Sequence, residues 1–399
     1  MKRFLMGFAV LSFTLPLFAQ QPAPSALPDP IRTIVGRLEL DKYKATVKGL
    51  TQFGDRRQGT KRNRDAVDWI EAQLKSYGCA NVERITYQYV TPPPRTGAAP
   101  AARPADPNAI PTSQGGGRPR GTRARTGVNT DPLKQPDEKL RALNTEPATD
   151  GERQDVYCTK VGATHPEEVY IVAAHMDGHG WGEAANDDGS GTAIVMELAR
   201  IFSNPDVQTE RTIRFALWNN EETGLNGSKA YADQRGPLQG KENPPASGRY
   251  PEPKWLGMIQ HDMMMFDHGM PRADGTVSPE QRPEADVNIE FQITSKFAEG
   301  AKALAWALHG ANEKYATDYP ANIGSHMTNT DSGSFMDLVP SVSMRENERG
   351  AQIGNGWDPH WHQPTDVFAT FSDKDFRLGL NAAQTTLGGV AMLANARLK

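Results

Sequence analysis

Apolar residues follow two rhythms along this chain. Over 31–77 they recur every three to four positions. Ala66, Trp69, Ile70 and Leu74 share one helical face there, and Gly78 follows as a stop. Beyond residue 150 the rhythm changes to short strand-like runs alternating with helical stretches. The run 169–174 has the continuous, β-branched character of a strand buried on both faces. The stretch 192–202 predicts a helix with Ile194, Val195, Leu198 and Phe202 on its inward side. A strand at 212–218, a helix at 225–233, a strand within 255–265 and a strand at 287–293 follow. A helix over 295–314, a strand over 339–344 and a closing helix over 373–397 complete the series. Two earlier runs, 81–90 and 155–161, also read as strands. Strands interleaved with helices predict one mostly parallel sheet covered on both faces.

Composition alters this picture in two places. Over 91–150, Pro, Gly, Ala, Arg and Thr dominate and large apolar residues nearly vanish, so the segment is expected to be a surface insertion. Its arginines at 103, 118, 120, 123 and 125 are read as a solvated linker rather than a contact for an anionic surface. At the start, Lys2 and Arg3 precede an apolar run over 4–18, and Leu17-Phe18-Ala19 offers a cleavage point. Residues 1–19 are therefore expected to be a signal peptide directing export to the periplasm or medium. The run is short for a membrane span. Residues 20–30, rich in Pro and Ala, are expected to be disordered, leaving 31–399 as the catalytic domain. A net charge of −4 over 399 residues gives no reason to expect nucleic acid or stable membrane association. The two cysteines, Cys79 and Cys158, sit beside strand-like runs. In an exported chain they can be bridged, or they can pack as two free thiols.

Candidate chemistry gathers at the strand ends, where sites form in open α/β sheets. His175 directly follows 169–174, Glu221 and Glu222 follow 212–218, and Asp262 lies in or just after the strand near Trp255. Asp187, in a glycine-containing turn before a helix, and His362, in a late loop, complete two histidines and three carboxylates suited to two zinc ions. A carboxylate at a loop–helix junction can bridge such a pair, which fits Asp187. Asp177 can accept the second N–H of His175 and fix its tautomer, and Asp366, four past His362, could act in the same way. Glu221 and Glu222 divide two roles, metal ligand and proton acceptor. Asp188 reads as a helix-start carboxylate, and His179, His261, His268 and His360 as surface or supporting residues. Arg345 and Arg349 could bind a substrate carboxylate or simply pair with Glu346 and Glu348.

The stretches IVAAHMD at 171–177, ANDDGSG at 185–191 and FALWNNEETGLNGS at 215–228 resemble the clan MH, family 28 metallopeptidases. That family includes bacterial leucyl aminopeptidases, glutamate carboxypeptidases and related glutaminyl cyclases. The resemblance implies a single α/β domain with a mixed, mainly parallel central sheet sandwiched between helices. It implies one zinc on His175 and Asp262, a second on Glu222 and His362, Asp187 bridging, Glu221 as general base and Asp177 as the residue that orients His175. It also implies peptide substrates, with aminopeptidase action as the leading expectation. Carboxypeptidase, glutaminyl cyclase and a metal-free binding protein are the alternatives. The loop 330–335 resembles the family's substrate-side loop. Trp361 departs from the tyrosine that some of these aminopeptidases carry before the last histidine, so the oxyanion donor is left open.

Overall fold

The structure, a computed structural model, describes residues 29–93, 127–267, 287–327, 329–346 and 358–399. The expected signal peptide, and all of the expected disordered segment before residue 29, lie outside these. The helical rhythm of 31–77 resolves into three helices, α1 (Pro30–Val35), α2 (Leu40–Thr51) and α3 (Lys61–Ser76). The breaks are local. Gly36 closes α1, and Gly54 and Gly59 take positive φ between α2 and α3. Thr60 then caps α3 by accepting from the Asn63 N–H.

Strands β1 (Glu83–Tyr89), β2 (Gly151–Lys160), β3 (His165–His175), β5 (Arg211–Trp218), β6 (Lys254–His261), β7 (Val287–Phe291), β8 (Ala321–Gly324) and β9 (Ser341–Glu346) form one sheet. Its order is β1-β2-β5-β3-β6-β9-β7-β8. The centre, β5-β3-β6-β9, is parallel throughout. The flanks turn antiparallel at β2 and β7. The expected mixed, mainly parallel sheet is therefore present. A small pair of β4 (Val207–Gln208) and β10 (Arg397–Leu398) was not legible in the sequence.

Alternate residues of the central strands feed two cores. Val172 and Ala174 face one, packed under α1, α2, α3, α5 (Gly189–Phe202), α7 (Ala298–Tyr315) and α8 (Asp373–Leu393). Ile171 and Ala173 face the smaller one, covered by Tyr231 of α6 (Asn226–Arg235) and by Phe335. In α5 all four predicted inward residues are fully buried, each contributing about 1.5–3 kcal/mol. Cys79, just past α3, is joined to Cys158 of β2, so the bridged alternative holds. No helix among the described residues is long and apolar enough to cross a membrane.

The last part of the expected surface insertion over 91–150 has regular structure of its own. Residues 127–150 carry a 3-10 turn at Pro132–Lys134 and a helix α4 (Glu138–Asn144) capped by Asp137. The segment docks by polar groups. Asn129 donates its N–H to the His362 carbonyl at 3.0 Å, and Gln135 Nε2 donates to the carbonyls of Trp181 and Pro364. Asn144 Nδ2 donates to the Gly182 carbonyl at 2.8 Å, and all three side chains are buried. A reading based on apolar content misses a segment held by hydrogen bonds to main chain. Residues 94–126, with all five of the arginines named above, lie outside the described residues.

Candidate metal centre

Three neighbouring parallel strands end at one place. His175 is the last residue of β3, Glu221 lies three past the end of β5, and Asp262 directly follows β6. Parallel pairing of β3 with both neighbours holds these carboxyl ends level. The loop before α5 brings Asp187 beneath them, and the loop after residue 358 brings His362.

Asp187 stands between two groups. Its Oδ1 lies 3.3 Å from His175 Nε2, and its Oδ2 lies 3.0 Å from His362 Nε2. On the first side His175 Nε2 also lies 3.8 Å from Asp262 Oδ1. On the second, His362 Nε2 lies 2.9 Å from Glu222 Oε2. All five expected ligands thus converge, with Asp187 between His175 and His362. Glu221 joins neither group, but it lines the same cavity of about 320 Å³ with Asn329, Arg345 and Trp361.

The supporting bonds differ from expectation at two residues. His175 Nδ1 pairs with the main-chain oxygen of Asp177 at 3.0 Å, while the nearest carboxylate oxygen of Asp177 is 3.9 Å away. That carboxylate instead accepts the Glu221 N–H at 2.9 Å. Asp177 therefore holds the Glu221 main chain, and its carbonyl fixes the imidazole. Asp366 does not partner His362. It accepts the N–H groups of Asn186 and Asp187 at 2.8 and 3.1 Å and so fixes the bridging loop. Asp188 caps α5 as expected, and it also accepts from the N–H groups of His175 and Met263, tying two ligand loops together. The peptide between Asp187 and Asp188 is cis. Met263 and Asn220, adjacent to ligand or base, and His362 itself have positive φ, an unfavourable conformation that clusters at functional sites.

Electrostatics report a crowd of buried acids. Burial opposes charge on His175, yet Glu221, Asp187 and Asp262 raise its pKa well above the ordinary value. His362 is likewise disfavoured by burial but lifted to about 10 by Glu222 and Asp187. Burial pushes Glu222 up, and the facing imidazoles of His179 and His362 outweigh it, leaving the carboxyl at about 2. Asp262 ends at about 2 because Arg345 and His175 overcome its burial. Glu221 moves the other way. Burial and the acids Glu222, Asp331 and Asp262 raise it well above the carboxylate range.

Several further residues surround the site, and Arg56 among them was not singled out by sequence. Arg56 is fully buried and donates to the carbonyls of Gly54, Met176, Glu183 and Ala184. Asp331, in the loop expected to be substrate-side, is buried and raised to about 7, chiefly by that burial. His179, read as surface or supporting, sits against Glu222 and His362. Trp361 stacks on the His362 ring with centroids 3.9 Å apart. Arg345 lines the cavity and faces Asp262, so pairing with Glu346 is not its only role; Arg349, Glu348 and His268 lie outside the described residues.

A family model for peptidase family M28 matches residues 155–378, more than half of the chain. Carboxypeptidase Q of Xenopus laevis is 34% identical over 93 residues, covering 23% of this chain and 19% of that protein. Aminopeptidase YwaD of Bacillus subtilis is 44% identical over 69 residues, 17% of this chain and 14% of its own. The aligned part spans less than a fifth of each of these relatives. Among solved structures, the zinc aminopeptidase BSAP of Bacillus subtilis superposes with a TM-score of 0.60 at 16% identity. That superposition covers 89% of this chain and 95% of the other, a likeness of fold.

Proposed function

The chain belongs to peptidase family M28, and from that premise we propose that it is an exported exopeptidase, an aminopeptidase first, using two zinc ions with Glu221 as general base. One observation carries the reading. The ligand side chains fall into two groups that meet at Asp187, while a further buried carboxylate, Glu221, lines the same cavity and belongs to neither.

The residues fit zinc. Imidazole nitrogen and carboxylate oxygen are its usual catalytic donors. Glu222 Oε1 is buried with no hydrogen-bond partner, which is costly for a carboxylate unless a cation meets it. His175 and Asp262 would hold one ion, Glu222 and His362 the other, and Asp187 both. Bound zinc supplies a Lewis acid and lowers the pKa of water to about 7. Glu221 would take a proton from the attacking water and deliver it to the leaving amine. Asp177 keeps Glu221 in place through the 2.9 Å bond to its N–H. The cavity, at about 320 Å³, falls in the range of small-ligand pockets. Export is supported by the basic and apolar start of the chain and by the Cys79–Cys158 bridge.

A carboxypeptidase is the second reading, favoured by Arg345 on the cavity wall, where a guanidinium could meet a terminal carboxylate. The names of the relatives include both activities. A matched peptide pair with free and acetylated N-termini, assayed after chelation with and without added zinc, separates them. Zinc-restored release from the amino end of the free peptide alone is the expected result. Release from the carboxyl end of both would overturn the aminopeptidase and assign Arg345. No hydrolysis of either peptide, with cyclisation of N-terminal glutamine instead, would make the chain a glutaminyl cyclase.

A further inference from the structure

The ligand pattern read from the sequence leaves His179 out, but its placement does not resemble that of a supporting residue. Its Nε2 lies 3.0 Å from Glu222 Oε2, the same oxygen that meets His362 Nε2 at 2.9 Å. The donor atoms of His179, Glu222 and His362 all lie within 4.8 Å of one another. The two imidazoles stand at 89° with centroids 4.0 Å apart, and the Nε2 of each approaches the same Glu222 oxygen. His179 Nε2 is buried, yet no hydrogen bond is made there. A histidine that only supported Glu222 would aim an N–H along an oxygen lone pair. Here nitrogen and oxygen approach without that alignment, as donors to a shared cation do.

The surrounding turn enforces this approach. Gly180 has φ of +98°, and a Cβ there would lie 2.4 Å from the main-chain carbon of His362. Only glycine lets the 178–182 turn lie against the His362 main chain. Gly178, on the other side, faces Ala184 at a distance that also excludes a side chain. His179 is therefore presented to Glu222 by a turn built for close contact.

We infer that His179 is a fourth protein donor to the second zinc, with Asp187, Glu222 and His362, against three donors, His175, Asp187 and Asp262, for the first. This rests on the two-ion reading above. Zinc held by four protein donors is closed, whereas three donors leave a position for water. The inference thus places the open position on the His175 side, in the cavity that Glu221 also lines.

The test uses the full chain, stripped by chelation, as wild type, His179→Ala and His179→Gln. Zinc is titrated against a chromophoric chelator, and cobalt(II) substituted for it is followed by its visible absorption. Wild type is expected to take two ions. In both variants the second ion should be held about tenfold more weakly or worse, with the first unchanged. The cobalt band of the second ion should also change in intensity, because a donor is lost. Glutamine, close to histidine in size, keeps the turn filled and carries the same expectation. Unchanged affinities and spectra in the variants would overturn the inference while leaving two ions in place. Full recovery in His179→Gln alone would also overturn it, making His179 a hydrogen-bonding support. A wild-type chain that binds one ion or none would remove the two-ion reading itself, before any variant is compared.

Discussion

Arg56 carries no candidate chemistry, yet its guanidinium is fully buried and donates to four main-chain oxygens around the metal-bearing turn. Replacing it with methionine would fill much of the volume, leave those carbonyls unpaired and remove the cation that faces Asp366, Asp55, Asp188 and Asp177. Arg56→Met is expected to lower stability by about 3 kcal/mol or more. A denaturant midpoint showing under about 1 kcal/mol would contradict that role. The proposed ligands and base were legible because His175, Glu221, Glu222 and Asp262 are metal-competent types near strand ends, with Asp187 in a glycine-containing turn and His362 in a late loop. Arg56 was not, since nothing in the residues around it marks a cation that folds back over 120 positions to Met176. The supporting bonds were only partly legible. Spacing placed Asp177 and Asp366 near the ligands, but which N–H each accepts depends on the path of two loops.

At the scale of elements, periodicity revealed those that bury an apolar stripe. Helix α5 and strands β3, β5 and β9 appear where their apolar patterns put them, give or take a few residues. Elements held by polar contacts escaped it. Helix α4 presents no apolar run, and β8 and the β4–β10 pair are four residues long or less. The segment 127–150 nevertheless reaches the site, because Asn129 and Gln135 bind the loop that carries His362. Exchanging 127–150 for a Gly/Ser linker of equal length is expected to leave a cooperative fold with a lower melting temperature and weaker zinc retention. Calorimetry and chelator competition would check this. Unchanged values for both would return the segment to the status of a solvated linker.

In the whole molecule, the sheet gathers acids whose repulsion only cations can relieve, so stability and metal content should be linked through pH. His362 is raised from an ordinary 6.5 to about 10, and His175 also moves upward. A raised folded pKa contributes stability that is complete below the unfolded value and is lost as pH climbs through the folded one. The metal-free chain should therefore lose stability between about pH 6.5 and 10. Zinc needs neutral imidazoles, so its affinity should rise over the same window. Melting temperatures of stripped and zinc-loaded protein should diverge with rising pH. A stripped protein whose melting temperature is flat or rising there would show that the histidines are not held protonated by the carboxylates.

Residue, element and sheet meet in the claim that Glu221 moves the proton while its neighbours hold the metal. The most direct test is zinc content and peptide turnover measured on one preparation of Glu221→Gln. The expected result is two zinc ions per chain, as in wild type, with turnover reduced by about 10²–10⁴-fold. Turnover near wild type with zinc retained would contradict Glu221 as the base. Loss of an ion would contradict its separation from the ligand set.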